Sequence, residues 1–492
     1  MHAPPDLDRL LRDRFRLPAF RPGQRPLIEA VLAGRDALGV LPTGGGKSLC
    51  YQVPAAARGG LSVVVTPLLS LIDDQVGRAR ALGFRAEGLG STRAPGRNRA
   101  ALEAAARGEL DLVFLAPERL EQEPVRRLLR AGTVSLVVVD EAHCISLWGN
   151  DFRPSYRRLG EALARPRTFP VLALTATATP AVRLDVARVL DLRTPEQVVL
   201  SFDRPNLSWT VVRCAGPGAK RDVLLPALRR ALAEAPWSSA IVYAGTRRAV
   251  RAVHAELARA GLEARPYHAG LDAPLRLEAQ RWFLEARHPV LVATNAFGMG
   301  IDRPDVRLVA HHSVPASLEA YYQEAGRAGR DGRPARVLAL DAPADRDLRR
   351  GLLDSSRPPP DRLAELHAVL LRVFGPGRPV RPDRLRTGLA PAWAGQAGPA
   401  ALRGLEAAGG LSVREDGLLH IHEGPLDLGP VRALRRQGVD GLAAAERFLR
   451  TRGCRRRVLL GWFGESAPSE CEACDRCART AVWRRTLGRT GG

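Results

Sequence analysis

Leu41-Pro42-Thr43-Gly44-Gly45-Gly46-Lys47-Ser48 follows the apolar run Ala37–Leu41, and its reading decides the architecture. Glycines let successive backbone N–H groups wrap a phosphate, Lys47 reaches the outer phosphates, and Ser48 offers a hydroxyl to Mg²⁺. Thr43, Gly44, Gly45, Gly46, Lys47 and Ser48 are therefore the candidate cradle for ATP. Leu41 stands where the strict G-x-x-x-x-G-K-S spelling has its first glycine, and a flexible glycine-rich turn is the competing reading. Asp140-Glu141-Ala142-His143 weighs against that alternative, because it ends a second apolar run, Leu136–Val139, where the metal side of such a site belongs. Asp140 would hold Mg²⁺ together with Ser48, and Glu141 would polarise the attacking water.

Working outward, further apolar runs occur at Leu61–Thr66, Asp111–Leu115, Val171–Leu174, Ala240–Tyr243, Val290–Ala293, Leu308–Ala310 and Val337–Leu340. Helix-length segments separate them, so they read as buried parallel strands in α/β layers. Open α/β sheets place ligands at the carboxyl ends of their strands. Those ends carry Thr66-Pro67, Pro117-Glu118-Arg119, Asp140-Glu141, Thr175-Ala176-Thr177 and Thr294, which implies a shared cleft. The pattern is interrupted at Phe202-Asp203-Arg204-Pro205-Asn206, and Ser355-Ser356-Arg357-Pro358-Pro359-Pro360 has the composition of a linker. At 492 residues, the chain is too long for one core.

A formal net charge of +22 and a pI near 11.0 point to a polyanionic partner. Composition weakens that argument: all but two of the 74 basic residues are arginine, the pattern of a coding bias. The two lysines, Lys47 and Lys220, become informative in turn, since each should sit where a compact ammonium is needed. Met1–Pro5 lacks the basic start and apolar core of a signal peptide, and the longest apolar stretch, around Leu61–Ile72, is too short to span a bilayer. A cytoplasmic protein without membrane contact is expected, its seven cysteines not paired as disulfides.

Phosphoryl transfer also needs a cation to stabilise the departing γ-phosphate. Gln323-Glu324-Ala325-Gly326-Arg327-Ala328-Gly329-Arg330 supplies Arg327 and Arg330 from the second series of strands, beside Gln323. In an arginine-rich chain a single arginine is ordinarily surface solvation; a spaced pair between glycines is harder to dismiss.

With these stretches in view the chain, from about residue 15 to 345, resembles the RecQ family of superfamily 2 helicases. The resemblance rests on Phe20-Arg21-Pro22-Gly23-Gln24, the glycine loop, Thr66–Leu71, Ala116–Leu120, Asp140–His143, Ala173–Ala178, Tyr267-His268-Ala269-Gly270, Ala296–Asp302 and Gln323–Gly332. It implies that Arg21 and Gln24 recognise adenine and that Arg330, backed by Arg327, is an arginine finger. Leu17 replaces an aromatic that stacks on the base in many relatives.

Trp148, Phe152, Arg153 and Tyr156 cluster just after the acidic motif, and aromatics beside an arginine suit single-strand binding. Three core aromatics are the alternative. The segment resembles the family's aromatic-rich loop, with Leu147 and Asn150 replacing the usual Gln and His; DNA rather than RNA follows from this resemblance. His268 and Thr294 are further candidates for contact with the strand.

Cys454, Cys471, Cys474 and Cys477 offer four thiolates at the spacing of a tetrahedral Zn²⁺ site. An iron–sulfur cluster is the rival, although Ala481 and Val482 stand where the ferredoxin run needs Cys and Pro. The family carries a zinc module of this spacing, including Arg455-Arg456 and Phe463-Gly464-Glu465. Before it, Leu363, Leu366, Leu370 and Val373 have helical spacing, shorter helices follow near Leu385–Leu389 and Leu402–Ala408, and Leu411–Ile421 reads as a hairpin turning at Asp416-Gly417. Three helices and a hairpin suggest a winged helix, which most relatives place after zinc; this chain ends 15 residues past Cys477, too few for that domain or a further helical nucleic-acid-binding one.

The expected fold is α/β: RecA-like lobes at 1–204 and 205–350 with parallel sheets, a winged-helix-like domain at 351–430, a small helical zinc-binding module at 431–480 and a basic tail at 481–492. The expected function is an ATP-dependent DNA helicase or translocase of DNA repair and recombination, moving 3′ to 5′ by family resemblance. Its cofactors would be ATP, Mg²⁺ and Zn²⁺. Its partners would be single-stranded and forked DNA and single-strand-binding or repair proteins, with the chain itself a monomer. An RNA helicase or remodelling ATPase is the enzyme alternative. An ATP-gated DNA-binding protein without turnover is the other, disfavoured by the presence of both Glu141 and Arg330.

Overall fold

Strands buried on both faces need apolar residues at every position, and the valine- and leucine-rich runs supply them. In the computed structural model β1 (Ala37–Val40), β2 (Leu61–Val65), β3 (Ala86–Leu89), β4 (Leu112–Leu115), β5 (Val134–Val139), β6 (Val171–Thr175) and β7 (Glu196–Val199) form a parallel sheet in the order β3-β4-β2-β5-β6-β1-β7. Every residue of β1, β2, β4 and β6 is buried. The structure describes residues 6–42, 44–67, 69–90, 95–146, 154–163, 166–298, 303–389, 398–414 and 417–478.

Register does the positioning. Val40 lies opposite Thr175, Val65 opposite Val139 and Val139 opposite Ala173, so β1 ends level with β6, β2 ends level with β5, and the two pairs end within two residues of each other. The glycine loop, Thr66, Asp140 and Thr175 therefore lie along one edge of the sheet. This lobe is a compact unit that runs to Arg204 and takes in a short return of the chain at Phe463–Glu465. The Phe463 ring stacks on Phe202 at 4.2 Å, and the Glu465 carboxylate accepts from the Phe202 N–H at 2.8 Å and from the Ser201 hydroxyl.

The second unit holds the rest of the chain from Pro205. Its sheet, also parallel, runs β10-β11-β9-β12-β13-β8, with β8 (Leu207–Arg213), β9 (Ser239–Tyr243), β10 (Ala264–Tyr267), β11 (Val290–Ala293), β12 (Val306–His311) and β13 (Ala335–Asp341). Lys220 is buried here. Its ammonium donates to both Asp345 carboxylate oxygens (2.9 and 2.6 Å) and to the His312 carbonyl (2.5 Å), three acceptors around a point charge that a planar guanidinium would not satisfy.

After helix Pro343–Ser356 come helices Pro360–Phe374, Pro382–Gly388 and Pro399–Ala407 and an antiparallel sheet in the order β14-β16-β15. Its strands are β14 (Pro379–Val380), β15 (Leu411–Val413) and β16 (Leu419–Ile421). Leu411 pairs with Ile421, the register of a hairpin, and the arrangement is a winged helix. Leu363, Leu366, Leu370, Leu385, Leu405, Leu411, Leu419 and Ile421 make a core of its own. The hairpin tip, Glu415 and Asp416, lies outside the described residues, as does the tail 481–492.

Helix Gly429–Arg450 returns to the lobe and lies against helices Leu318–Ala325 and Pro343–Ser356. A Cβ on Gly438 would lie 2.5 Å from Leu353 Cδ1 and 2.9 Å from Arg357 Cδ, so a larger residue there would push both side chains aside. Helix Arg455–Trp462 follows. Among the described residues no helix is long and apolar enough to cross a membrane.

Candidate nucleotide and metal sites

The glycine loop is held from beneath. Gly44 and Gly46 take φ of +84° and +74°, a conformation glycine adopts without penalty. Gln24, only 1% exposed, donates its amide to the carbonyls of Gly45 (3.1 Å) and Gly46 (3.0 Å) and accepts the Arg21 N–H (2.8 Å). The Arg21 guanidinium donates to the Gly44 carbonyl. Both side chains thus turn to the loop itself. Lys47 is half-buried and Ser48 exposed where helix Leu49–Arg58 begins; Thr43 lies outside the described residues.

Asp140 accepts the Glu141 N–H at 3.0 Å, and its carboxyl is pushed up to about 6 by withdrawal from water and by Glu141, with Lys47 opposing. A bound cation would relieve that cost, so the residues fit Mg²⁺. Glu141 has φ of +49°, strained for a residue with a side chain. Its carboxylate lies 3.3 Å from Nδ1 of His143, which lies 2.8 Å from the Thr175 hydroxyl. Burial works against a charged His143, yet Cys144 and Glu141 carry its pKa well above the ordinary histidine value. Thr175 also accepts the Thr177 N–H at 3.2 Å. Together these bonds link the ends of β5 and β6, an arrangement the sequence reading missed.

Trp148, Phe152 and Arg153 lie outside the described residues. Tyr156 does not fit its expected role. It is fully buried with its hydroxyl donating to the Asp140 carbonyl at 3.0 Å, so its ring has no face for a base and instead anchors the acidic motif. His268 is buried, with a pKa below the ordinary value because burial and the neighbouring Arg251 and Arg247 oppose its charge; Thr294 is half-buried beside it in the fold, its N–H on the Tyr267 carbonyl at 3.1 Å.

In the second unit Gln323 lies on helix Leu318–Ala325, Arg327 and Arg330 lie in the turns that follow it, and all three are half-buried. On the same helix Tyr321 is buried and Glu324 meets Nε2 of His311 at 3.0 Å.

Cys454, Cys471, Cys474 and Cys477 bring their sulfurs within 4.8 Å of one another. Metal–sulfur bonds of about 2.3 Å in a tetrahedron put sulfurs about 3.8 Å apart, so a small contraction closes the site. Burial raises the Cys471 and Cys477 thiols, the latter to about 11, whereas at Cys474 the N–H groups of Arg455, Arg476 and Cys477 outweigh burial and bring the pKa below the ordinary value. The donor set fits Zn²⁺.

Residues 21–184 match the DEAD/DEAH box helicase family, 221–332 the helicase conserved C-terminal domain and 430–478 the RecQ zinc-binding family, which takes in all four cysteines. The chain is 38% identical over 366 residues to the Bacillus subtilis protein named "Probable ATP-dependent DNA helicase RecS", a match covering 74% of this chain and 72% of that one. The chain belongs to the RecQ family. A longer RecQ relative, ATP-dependent DNA helicase RecQ of Pasteurella multocida, is 35% identical over 463 residues, 94% of this chain and 61% of the relative, so this chain spans about three fifths of its length. The structure of the DUF1998 helicase MrfA bound to DNA and AMPPNP is similar in fold, with a TM-score of 0.57 at 18% identity over 87% of this chain and 62% of that one.

Proposed function

We propose that this RecQ-family chain is an ATP-dependent DNA helicase or translocase that moves 3′ to 5′ on single-stranded DNA, acting as a monomer on single-stranded and forked substrates. One observation carries the reading: Lys47, Asp140, Glu141 and the His143–Thr175 bridge stand together at the carboxyl ends of neighbouring parallel strands, behind a glycine loop. In this reading Lys47 binds the outer phosphates, Glu141 orients the attacking water, and Arg330, backed by Arg327 and Gln323, stabilises charge as the γ-phosphate departs. Ser48 and Asp140 would hold Mg²⁺, which supplies charge neutralisation on the phosphates. Arg21 and Gln24 set the loop's shape and contact the base; His268 and Thr294, with Trp148, Phe152 and Arg153, serve the strand. The domains divide as lobes 1–204 and 205–350, winged helix 351–430 and zinc module 431–480.

ATPase assays with single-stranded DNA, duplex DNA and RNA test it. Single-stranded DNA should stimulate most; equal or greater stimulation by RNA would make it an RNA motor. Lys47→Ala and Glu141→Gln should abolish turnover with unchanged melting. Arg330→Ala should bind nucleotide normally and turn over at least about a thousandfold more slowly, because its charge acts in the transition state.

A second reading, strong translocation with weak unwinding, is favoured by the short hairpin: β15 and β16 have three residues each. Streptavidin displacement from end-labelled single strands, run beside separation of forked duplexes, distinguishes the two.

A further inference from the structure

The zinc loop is built into the edge of the second lobe's sheet. Trp209 on the outer strand β8 donates its N–H to the Ala473 carbonyl at 2.9 Å, and its carbonyl accepts the Asp475 N–H at 3.0 Å, so the loop adds a parallel bridge to an otherwise open edge. The Trp209 ring is buried 5.8 Å from Tyr321 and 6.4 Å from Phe448, and those two rings lie 4.9 Å apart. Tyr321 also meets the His311 ring at 4.6 Å, and His311 holds Glu324. Tyr321 and Glu324 are buried residues of the helix that carries Gln323 and leads directly into the turns bearing Arg327 and Arg330.

A second path joins the same points. Arg455, 1% exposed, donates to both Asp475 oxygens (2.5 and 2.9 Å) and to the Phe448 carbonyl (2.6 Å). Arg455 follows ligand Cys454 and Asp475 follows ligand Cys474. The ion pair therefore draws together the two segments that the metal would also join, one residue further along each. A buried arginine is tolerated here because its donors are satisfied by a paired carboxylate and a carbonyl.

We infer that Trp209, Tyr321, Phe448, Arg455 and Asp475 form a brace whose outer end is the zinc loop and whose inner end fixes where Arg327 and Arg330 point. They are positioning residues: none carries the chemistry, and each sets the geometry of groups that do. The inference rests on the reading of Arg327 and Arg330 as the cations of the γ-phosphate. Misplacing such groups by an ångström slows turnover and leaves ground-state binding intact.

The test uses the full chain with Tyr321→Leu, Tyr321→Phe, Phe448→Leu and Asp475→Asn, measuring kcat and KM for ATP with saturating single-stranded DNA, affinity for a fluorescent ADP, zinc content and melting. Tyr321→Leu and Phe448→Leu should keep one zinc per chain and nucleotide affinity while kcat falls roughly ten- to a hundredfold. Tyr321→Phe, which keeps the ring, should restore kcat. Asp475→Asn leaves the rings packed and decides the matter if a ring variant unfolds: it too should lower kcat with zinc retained. Wild-type kcat in the folded variants, or loss of nucleotide affinity in parallel with kcat, overturns the brace. Arg330→Ala in the same series separates the two claims: if it retains turnover, the reading of the arginines fails; if it loses turnover and the brace variants do not, the brace alone fails.

Discussion

The winged helix and the zinc module adjoin in sequence and differ in where their buried side chains go. Helices Pro360–Phe374, Pro382–Gly388 and Pro399–Ala407 turn their leucines onto one another and onto β15 and β16, with Val431 the one contribution from the next helix. The zinc module sends Phe448 and Arg455 into the second lobe, beside Trp209 and Tyr321, and donates a bridge to that lobe's sheet. A region with its own core can be inserted into a chain or removed from it; a region that shares a core is part of the domain it packs on. The ends of the insert support this, since the Arg435 guanidinium donates to the Arg357 carbonyl at 2.7 Å and the Arg357 guanidinium to the Leu434 carbonyl at 2.8 Å, closing the chain on either side of it.

The comparison breaks most visibly at the metal. Cys474→Ser should remove zinc, and with it a contribution to folding on the order of 10 kcal/mol, so that DNA-stimulated ATPase falls to background and the lobe melts earlier. Elemental analysis beside a melting curve checks this; a metal-free protein with unchanged melting and turnover would show that the module does not share the lobe's core. Replacing residues 358–431 with a short glycine–serine linker should do far less to the motor. ATPase on single strands should stay within about threefold of wild type, because the removed core is separate. Strand separation on forked duplexes should drop, and efficient unwinding by the deletion protein would remove any role for the insert at the fork.

A smaller effect concerns pH. Burial, reinforced by Lys220, lowers His312 in the second lobe to about 4 from its ordinary 6.5. Below the ordinary value the unfolded chain takes up a proton that the folded lobe refuses until about 4. Stability should therefore decline as pH falls through that window, by at most about 1.4 kcal/mol per unit. Melting of wild type and His312→Gln from pH 7.5 to 5 checks the sign: the wild type should lose more.

How much of this was legible follows a physical line. Every interior strand of the two large sheets lies in an apolar run, because burial on both faces leaves no alternative. Within those two sheets the four strands not read from the sequence, β3, β7, β8 and β10, are the four edges. Edge strands tolerate Glu196 and Gln197, or Arg265 and Pro266, and so lose the apolar signature. The phosphate loop and acidic pair were legible because their chemistry admits few residue types. The His143–Thr175 bridge was not, since it joins residues through the register of β5 and β6. Tyr156 was misread because residue type does not distinguish a buried ring from an exposed one. Arg455 was picked out by the resemblance, but its pairing with Asp475 was not legible, because the fold alone brings together residues 20 positions apart.

The burial of Lys220 has a practical consequence. With its ammonium enclosed by Asp345 and His312, and with no other lysine in the chain beyond Lys47, an amine-selective reagent finds the phosphate loop as its one accessible lysine target besides the chain's first amino group. A covalent label applied with and without nucleotide would then act as an occupancy gauge for the site, read by mass at a single peptide, in a protein whose basic surface is otherwise silent to that chemistry.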